Sequence, residues 1–415
     1  MAFTESLGIP QRLQAFEPSH HAALQRLGEI DSAAYTRSRN ALDGAVTGLS
    51  PYFTHGLLSL TDAARAIHAR NVLGFDDKLV FEFGWREFFH HVWARQQNPD
   101  AILQDMHGAA VWHGQYADKL PLDIRQGCTG VAAIDNAVRI LYATGYLHNH
   151  ARMWLASYVV HVRKVHWRAG ADWLYGHLID GDLPSNHLSW QWVAGTFSSK
   201  PYLFNAENVL KYAPTGAKAA WDCNGTVIDR SYDALDVMAR NQTGASPEPG
   251  AHEKVSEPPL LNRFIPSNWP LDQSILAQSA IKNISNIRLE LIHPWSLSQR
   301  SLPGGQPDSL RIGIIHLPAH EAWPWSERRW QFVLQAMAAV TDIIWIGDLN
   351  ELDISAARCV AAQATLFPGY REVLSTMATL TPAPRLLPSP TMACRSFSKF
   401  YERARRDVGL FTDLL

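Results

Sequence analysis

The stretch LIDGDLPSNHLSWQW, residues 178–192, places two acids, an amide and two indoles in a turn that leads into a helical pattern. Asp180 and Asp182 are two residues apart, so both carboxylates of the turn can be directed at one ligand. Carboxylates are rarely buried unless they are paired. Arg152, on the preceding predicted helix, offers a partner, because a two-point Arg–Asp pair holds a carboxylate for hydrogen bonding to ligand N–H groups. A solvated acidic turn explains the two acids equally well when this stretch is taken alone.

A second block, FEFGWREFFHHVW at residues 81–93, sets polar groups among aromatic residues. Glu82, Trp85 and Arg86 are spaced i, i+3 and i+4, which puts them on one helix face. A carboxylate beside an indole can accept hydrogen bonds from a flat heterocycle while the indole stacks on it. The same spacing is typical of an amphipathic helix with an aromatic core, so the block alone does not decide.

A third block, GYLHNHARM at residues 145–153, crowds two imidazoles, an amide and Arg152 at a helix start. His148 and His150 are two residues apart and do not share a helix face, which disfavours a metal site. Polar recognition, or a hydrogen-bonded helix terminus, is the better interpretation.

A fourth block, GAVTGLSPYFTHG at residues 44–56, puts small residues and hydroxyls before a helix that begins near Pro51. Such a helix start suits a phosphate group. Ser-Pro at a helix start is also ordinary capping, so this block is weak when taken singly.

The composition is that of a globular protein of two or three domains, with 415 residues of which 47% are hydrophobic and 18% charged. No apolar run of about eighteen residues is present, so no membrane helix is expected, and the start lacks a signal-peptide pattern. The 4 cysteines form no CxxC pair. We therefore expect no metal site and reduced thiols in the cytoplasm. The net charge of -2 means that any DNA contact must come from a local basic patch.

The chain changes character along its length. Up to about residue 215, apolar residues recur at helical intervals, whereas GASPEPGAHEKVSEPP at 244–259 has the composition of a flexible linker. Beyond it, IRLELIH, LRIGIIHL and DIIWIGDL predict strands, and SERRWQFVLQAMAAV, LNELDISAARCVAA and RSFSKFYERARRDVG predict helices. Strands alternating with helices indicate a small α/β sheet.

The four blocks, in this order and spacing, resemble the flavin-binding domain of the photolyase/cryptochrome family over about residues 10–210. CTGVAAIDNAVRILYATG also fits the family pattern TG-x-P-x-x-D-x-x-x-R, with Ala132 in place of the proline. The resemblance implies a mostly α-helical FAD-binding photolyase domain followed by a small α/β Rossmann-like domain. We expect the helical domain at 1–225, a linker and connecting segment at 226–284, and the α/β domain at 285–415.

The resemblance implies FAD as the cofactor and leaves the antenna chromophore unknown. It gives Asp180 the isoalloxazine edge, supported by Arg152, gives Asp182 the ribitol side, and places Asn186 near flavin N5. Trp190 and Trp167 match two tryptophans of a chain that photoreduces the flavin, and Trp112 is a candidate for the third. The remaining residues expected to contact the cofactor are Tyr35, Thr47, Leu49, Ser50, Arg86 and Asn149.

The resemblance also implies UV-damaged DNA as the partner of a monomeric protein without membrane contact. Family members that split cyclobutane pyrimidine dimers use a residue set that is complete here, and two indoles wedge the flipped-out dimer while Glu82 binds a thymine edge. The expected substrate-binding residues are Glu82, Trp85, Asn149, His150, Met153 and Trp192.

The expected function is light-driven repair of cyclobutane pyrimidine dimers by a deoxyribodipyrimidine photo-lyase, through electron transfer from excited reduced FAD. The alternative is a cryptochrome-like blue-light sensor without repair activity. Two departures from the family lie at charge contacts: Gly48 stands where the family usually carries Arg or Lys, and His150 replaces an Arg. The family's antenna domain normally precedes the flavin domain. Here the C-terminal strands and RSFSKFYERARR resemble parts of it, and we expect a circularly permuted, shortened antenna domain.

Overall fold

The computed structural model describes residues 2–96, 103–106, 111–112, 114–241, 243–246, 252–264, 284–299 and 309–415. Its residues divide into two compact units that are interleaved in sequence. Unit 1 contains 1–15, 33–48 and 95–259, and unit 2 contains 16–32, 49–94 and 260–415. Within the described ranges, no helix is both long enough and apolar enough to cross a membrane.

The regular elements in the described part of unit 1 are helices. The helix Asn149–Ser157 continues into a π-helical turn at Tyr158–Val162, a form that is rare and often found at functional sites. Gly145 and Gly195 end two of the helices in left-handed conformation, at φ 68° and 86°, where glycine carries no steric penalty. The helices are Ala2–Ser6, Ser32–Ser38 (its first residue in unit 2), Leu122–Arg125, Ala132–Thr144, Asn149–Ser157, Trp167–His177, Leu183–Ala194, Ala206–Tyr212 and Tyr232–Asn241.

Unit 2 combines helices with strands. A short antiparallel pair joins β1 (Leu260–Leu261) to β4 (Trp325–Ser326). The other strands are β2 (Arg288–Ile292), β3 (Ser309–His316), β5 (Ile343–Gly347), β6 (Cys359–Gln363) and β7 (Thr379–Thr381). The helices are His20–Gly28, Ser50–Thr54, Leu60–His68, Lys78–Ala94, Leu317–Ala322, Glu327–Ala338, Tyr370–Met377 and Phe397–Val408.

The strands β2, β3, β5, β6 and β7 form a parallel sheet in the order β5-β3-β2-β6-β7. In register, Leu291 of β2 lies opposite Ile312 of β3 and Ala362 of β6. Leu289, Leu291, Ile312 and Ile314 are fully buried. Near-continuous apolar strands are what a parallel sheet covered on both faces requires. The expected mostly helical chain with a parallel sheet is therefore confirmed.

One secondary-structure expectation is wrong. LNELDISAARCVAA, expected to be a helix, contains a 3-10 turn at Leu349–Glu351 and then enters β6. Asp348 caps the turn through the backbone N–H of Asn350, and Asp353 accepts from the N–H and hydroxyl of Ser355. Aspartates that bond the nearby backbone compete with the helix, and pairing of β6 with both β2 and β7 overrides the local preference.

The expectation of a flexible linker at 244–259 is also wrong for residues 252–259. Val255 donates its N–H to the carbonyl of Gln126, and Arg139 donates to the carbonyl of Glu253. His252 lies 3.2 Å from the carboxylate of Asp135. These polar contacts fix the segment against unit 1 despite its linker-like composition. The domain limits 1–225, 226–284 and 285–415 stay a prediction, because compact packing alone does not mark where a domain begins.

Candidate functional site

Asp180 and Arg152 form the ion pair that the sequence suggested. The Nη2 atom of Arg152 lies 2.9 and 2.8 Å from the two carboxylate oxygens of Asp180, whose side chain is 2% exposed. Arg152 also donates through Nε to the carbonyl of Leu147 at 2.7 Å, which fixes the guanidinium. A buried carboxylate held in this way is a rigid hydrogen-bond acceptor for a ligand.

Asp182 and Asn186 belong to the start of the helix Leu183–Ala194. Asp182 is its N-cap and accepts hydrogen bonds from the N–H of Ser185 at 3.1 Å and from its hydroxyl at 2.5 Å. Asn186 donates from Nδ2 to the carbonyl of Ala171 at 2.8 Å, which orients the amide. The next residue, His187, is buried and lies 2.8 Å from Asp172. The motif therefore sets its carboxylates and amide in defined positions along one turn and one helix.

The two tryptophans assigned to electron transfer are both buried in unit 1. Trp190 packs so closely on the helix Trp167–His177 that a Cβ on Gly170 would lie 2.3 Å from its ring. Trp167 donates from its indole nitrogen to Asp105 at 2.8 Å. Trp112 packs edge-on against Tyr116 at 5.2 Å, and Tyr116 in turn lies 6.4 Å from the ring of His166, the neighbour of Trp167. The assignment of Trp112 as the third tryptophan stays a prediction.

The helix Asn149–Ser157 carries the third block. His148 is its N-cap and accepts from the N–H of His150 at 3.1 Å. Burial lowers the pKa of His148 to about 3 and that of His150 to about 4, so both imidazoles are neutral near pH 7. His150 packs against Tyr212, with ring centroids 4.5 Å apart and the planes tilted by 36°. It therefore supplies no charge for a DNA phosphate.

The substrate residues assigned to unit 1 lie at or near its surface. Asn149 is exposed, and its Nδ2 lies 3.4 Å from the sulfur of Met153, one turn further along the same helix. Met153 and Trp192 are half-buried. Trp192 lies 6.0 Å from the ring of Tyr202. A ligand can therefore reach these three side chains while both of their helices stay folded.

The helix Lys78–Ala94 of unit 2 carries Glu82, Trp85 and Arg86. Glu82 pairs with Lys78 at 2.9 Å, with both side chains about a third exposed. One face of the Trp85 indole is covered by Phe397, at a centroid distance of 4.1 Å and an interplanar angle of 9°. Sequence reasoning missed this contact, because nothing near Trp85 in the sequence points to residue 397.

The loop of the fourth block is held by Arg12, which donates to the carbonyl of Val46 at 2.7 Å and of Gly44 at 3.1 Å. Gly48 has φ 62°, a conformation that favours glycine. This conformation gives a backbone reason for glycine where the family usually carries a basic residue. Thr47 is half-buried, and Leu49 precedes the helix Ser50–Thr54.

The residues predicted to form the site are divided between the two units. Unit 1 holds Tyr35, Thr47, Trp112, Asn149, His150, Arg152, Met153, Trp167, Asp180, Asp182, Asn186, Trp190 and Trp192, and unit 2 holds Leu49, Ser50, Glu82, Trp85 and Arg86.

A polar hub around Glu257 was not foreseen. Glu257 accepts from Arg125 at 2.6 Å and from the indole nitrogen of Trp173 at 2.9 Å, and it lies 3.3 Å from His177. Burial opposes ionisation of Glu257, but hydrogen bonds from His177 and Arg125 outweigh it and lower its pKa. The Pro- and Glu-rich composition of this segment hides the contact.

Buried Lys164 was also missed. Its ammonium donates to the carbonyls of Met238 and Ala239, at 3.0 and 2.5 Å. These carbonyls lie in the last turn of the helix Tyr232–Asn241, where a cation compensates the helix dipole. Burial lowers the pKa of Lys164 to about 8. No short sequence pattern predicts that a lysine caps a helix so distant in the sequence.

The side chains of unit 1 suit a flat heterocycle with N–H groups at its edge. The fixed carboxylate of Asp180 accepts hydrogen bonds, the oriented amide of Asn186 can face a ring nitrogen, and Trp190 is a buried indole in the same helix. Among the described residues, no group of three or more His, Cys, Asp or Glu side chains is suited to holding a metal ion. This arrangement defines a helical unit whose fixed polar groups suit a flat, nitrogen-containing ring such as a flavin.

Comparison with known proteins finds a similarity over part of the chain. Residues 79–256 match the model of the FAD binding domain of DNA photolyase. Over these residues, which are less than half of the chain, the protein is similar to the FAD-binding domain of DNA photolyases, and FAD is the cofactor that this similarity indicates.

Three relatives illustrate the match. The chain is 35% identical over 165 residues to a deoxyribodipyrimidine photo-lyase of Streptomyces griseus, covering 40% of this chain and 35% of the relative. It is 30% identical over 244 residues to a cryptochrome DASH of Idiomarina loihiensis, covering 54% and 53%. A solved Synechocystis cryptochrome is similar over 51% of this chain and 47% of its own, with 26% identity and a TM-score of 0.44. The alignments thus span about half or less of each relative.

Proposed function

We propose that this protein repairs cyclobutane pyrimidine dimers in DNA in a light-driven reaction. Bound reduced FAD would supply light absorption and electron transfer to the dimer. The protein's own side chains would hold the flavin, orient the dimer and exclude water from it. Relatives named as a photo-lyase and as a cryptochrome both match the chain, so their names do not distinguish repair from light sensing. The proposal of repair therefore rests on the retained set of substrate residues.

The observation that carries the proposal lies in the helix Asn149–Ser157. Arg152 of this helix fixes Asp180, which belongs to the flavin set. Asn149 and Met153 of the same helix lie together at the surface, where a thymine edge could meet an amide and a thioether. One short rigid element thus connects the cofactor residues to the substrate residues.

Phe397 adds a constraint on Trp85. Because Phe397 covers one face of the indole, that face is closed to a dimer. We propose that Phe397 orients Trp85 as a fixed wall of the substrate pocket, with Glu82 one turn away accepting hydrogen bonds from the base.

The deciding experiment mixes the chemically reduced protein with an oligonucleotide that contains one dimer, under near-UV or blue light. We expect loss of the dimer, measured by chromatography, and no loss in the dark. Glu82→Ala should slow the loss and leave flavin content unchanged. Asp180→Asn should lower flavin content itself. An intact, flavin-loaded wild-type protein that leaves the dimer unchanged contradicts the proposal and favours the cryptochrome-like sensor.

We also propose that residues 285–415 form a Rossmann-like, circularly permuted and shortened antenna domain. Numbered by chain order within the sheet, the strand order becomes 3-2-1-4-5, which is the order of a doubly wound sheet. Helices follow β3 and β6 before the next parallel strand, as βαβ connections require. The permutation is tested by aligning these strands, one by one, with the antenna domain that precedes the flavin domain in a relative. Strands that cannot be matched in a rotated order would contradict it.

A further inference from the structure

The helix Phe397–Val408 concentrates positive charge in a protein whose net charge is -2. Between residues 395 and 408 the sequence has five basic and two acidic residues. Lys399, Arg403 and Arg406 are spaced i, i+4 and i+7 and therefore share one helix face. Arg395 precedes the helix by two residues. We call Arg395, Lys399, Arg403 and Arg406 the basic stripe.

The opposite face of this helix is committed to the core. Phe397, Phe400, Tyr401 and Ala404 are buried. Tyr401 approaches the helix Lys78–Ala94 so closely that a Cβ on Gly84 would lie 2.8 Å from its ring. The packing leaves Arg395, Lys399 and Arg406 on the exposed side, whereas Arg403 is half-buried and donates from Nη1 to the sulfur of Cys394 at 3.7 Å.

The three exposed members of the basic stripe, Arg395, Lys399 and Arg406, are weakly engaged within the described part of the chain. Arg395 and Lys399 are exposed and make no side-chain ion pair there. Arg406 is 74% exposed and lies 3.5 Å from its neighbour Asp407, a separation and exposure that contribute little to stability. Arg405, on another side of the helix, instead pairs with Asp76 at 2.7 Å.

The basic stripe begins at the end of its helix that contacts Trp85 of the helix Lys78–Ala94. Phe397, at the start of its helix, stacks on Trp85, and Phe400 contacts Phe88 at 5.7 Å. Arg395 and Lys399 flank Phe397 in sequence and so lie at the end of the helix nearest Trp85. A nucleic acid whose flipped base reached Trp85 would bring its backbone near these two cations.

We propose that the basic stripe binds the phosphate backbone of the DNA whose damaged bases enter at Trp85. From Lys399 to Arg406 the stripe spans about 10 Å at 1.5 Å per residue, the rise of about three base pairs. This surface supplies charge that His150 and Gly48 do not. The inference rests on the proposed function for the identity of its partner, but it concerns a surface outside the flavin and dimer residues.

The test measures binding of dimer-containing duplex DNA in the dark as a function of salt, with the flavin-loaded full-length protein. Each phosphate contact contributes about 0.9 to the slope of log K against log salt. The double variant Lys399→Ala/Arg406→Ala should therefore lower the slope by about 2 and weaken binding at 0.1 M salt by at least about tenfold. Alanine is a strong helix former, so we expect both helicity and flavin content to be unchanged.

Arg405→Ala is the matched control, because it removes a cation from the same helix outside the stripe. Its slope should stay close to that of the wild type. An unchanged slope in the double variant, or an equal loss in the control, overturns the proposal. Repair by the wild type together with an unchanged slope would reject the stripe and leave the repair function standing. A reduced slope without repair would support the stripe and reject the repair function.

Discussion

Trp190 and Trp192 belong to one helix but face different surroundings. Trp190 is 2% exposed and packs on Gly170, whereas Trp192 is half-buried. We expect Trp190→Phe to slow photoreduction of the oxidised flavin and to spare repair by chemically reduced protein. Trp192→Phe should slow repair and spare photoreduction, because we assign the indole of Trp192 to the substrate. Flash photolysis and dimer loss measure the two activities. Equal effects of both variants in both assays would contradict the division of roles.

Gly170 is required by the closeness of Trp190. An alanine Cβ there would lie 2.3 Å from the ring, so Trp190 or the backbone must move. Overpacking of this kind costs about 1–3 kcal/mol, partly offset by about 1 kcal/mol of helix propensity. We expect Gly170→Ala to lower the urea midpoint and the rate of photoreduction. Gly216→Ala is the control, since no heavy atom lies within 4 Å of its added Cβ. Equal stability of the two variants would contradict this packing.

Side-chain contacts could be predicted from the sequence where both residues lie in one motif or on adjacent predicted elements. The pair of Asp180 and Arg152 was foreseen, because an acidic turn next to an Arg-bearing helix has few other ways to bury its carboxylates. Phe397 over Trp85 and Glu257 beside Trp173 were not. Contacts between distant segments depend on the tertiary path of the chain, which local patterns do not encode.

The helix Lys78–Ala94 is tied to a C-terminal segment by buried polar groups. Glu87, 4% exposed, accepts from the N–H of Leu386 at 2.8 Å and pairs with Arg385 at 2.7 Å. One turn further along, His91 lies 2.9 Å from Ser389. These bonds join two segments that are remote in sequence. They hold the helix Lys78–Ala94, which carries Glu82 and Trp85, in place within unit 2.

Glu87→Gln should destabilise unit 2. The amide removes the charge that compensates Arg385, and because Arg385 is 28% exposed we expect a cost of roughly 1–3 kcal/mol, below that of a fully buried pair. Glu82→Gln is the matched control on the same helix, since the part-exposed pair of Glu82 with Lys78 is worth at most about 1 kcal/mol. Urea unfolding measures both. A larger loss in the control would show that Glu87 does not tie the two segments.

Element prediction followed the strength of the local pattern. The strands IRLELIH, LRIGIIHL and DIIWIGDL lie where β2, β3 and β5 are found, because β-branched runs resist helix formation. LNELDISAARCVAA was misassigned, because its alanines favour a helix while sheet pairing decides the outcome. Residues 252–259 were misassigned for a related reason, since their polar composition conceals specific hydrogen bonds.

Across the whole molecule, several histidines are buried in the neutral form. Burial lowers the pKa of His148 to about 3, and that of His161 and His293 to about 4. In the unfolded chain these imidazoles bind protons near pH 6.5. The unfolded state therefore binds more protons than the folded state between pH 6.5 and about 4, and stability falls as the pH falls through this window. The lowered pKa of Glu257 acts in the same direction at lower pH.

His293 offers a direct test of this dependence. Its Nε2–H donates to the carbonyl of Gln363 at 2.9 Å, and its Nδ1 accepts from the N–H of Trp295 at 3.2 Å. Glutamine can keep one donor and one acceptor but does not titrate. We expect His293→Gln to reduce the slope of unfolding free energy against pH by about 1.4 kcal/mol per pH unit between pH 6 and 4.5, the contribution of one proton.

Urea unfolding at a series of pH values measures that slope, and exposed His21 supplies the control. His21→Gln should leave the slope unchanged, whatever small change it makes to stability at pH 7.5. The control separates loss of a buried neutral imidazole from loss of any imidazole, because the His21 side chain is exposed. If His293→Gln and the wild type lose stability at the same rate on acidification, His293 takes up its proton in the folded state, and its burial does not govern acid sensitivity.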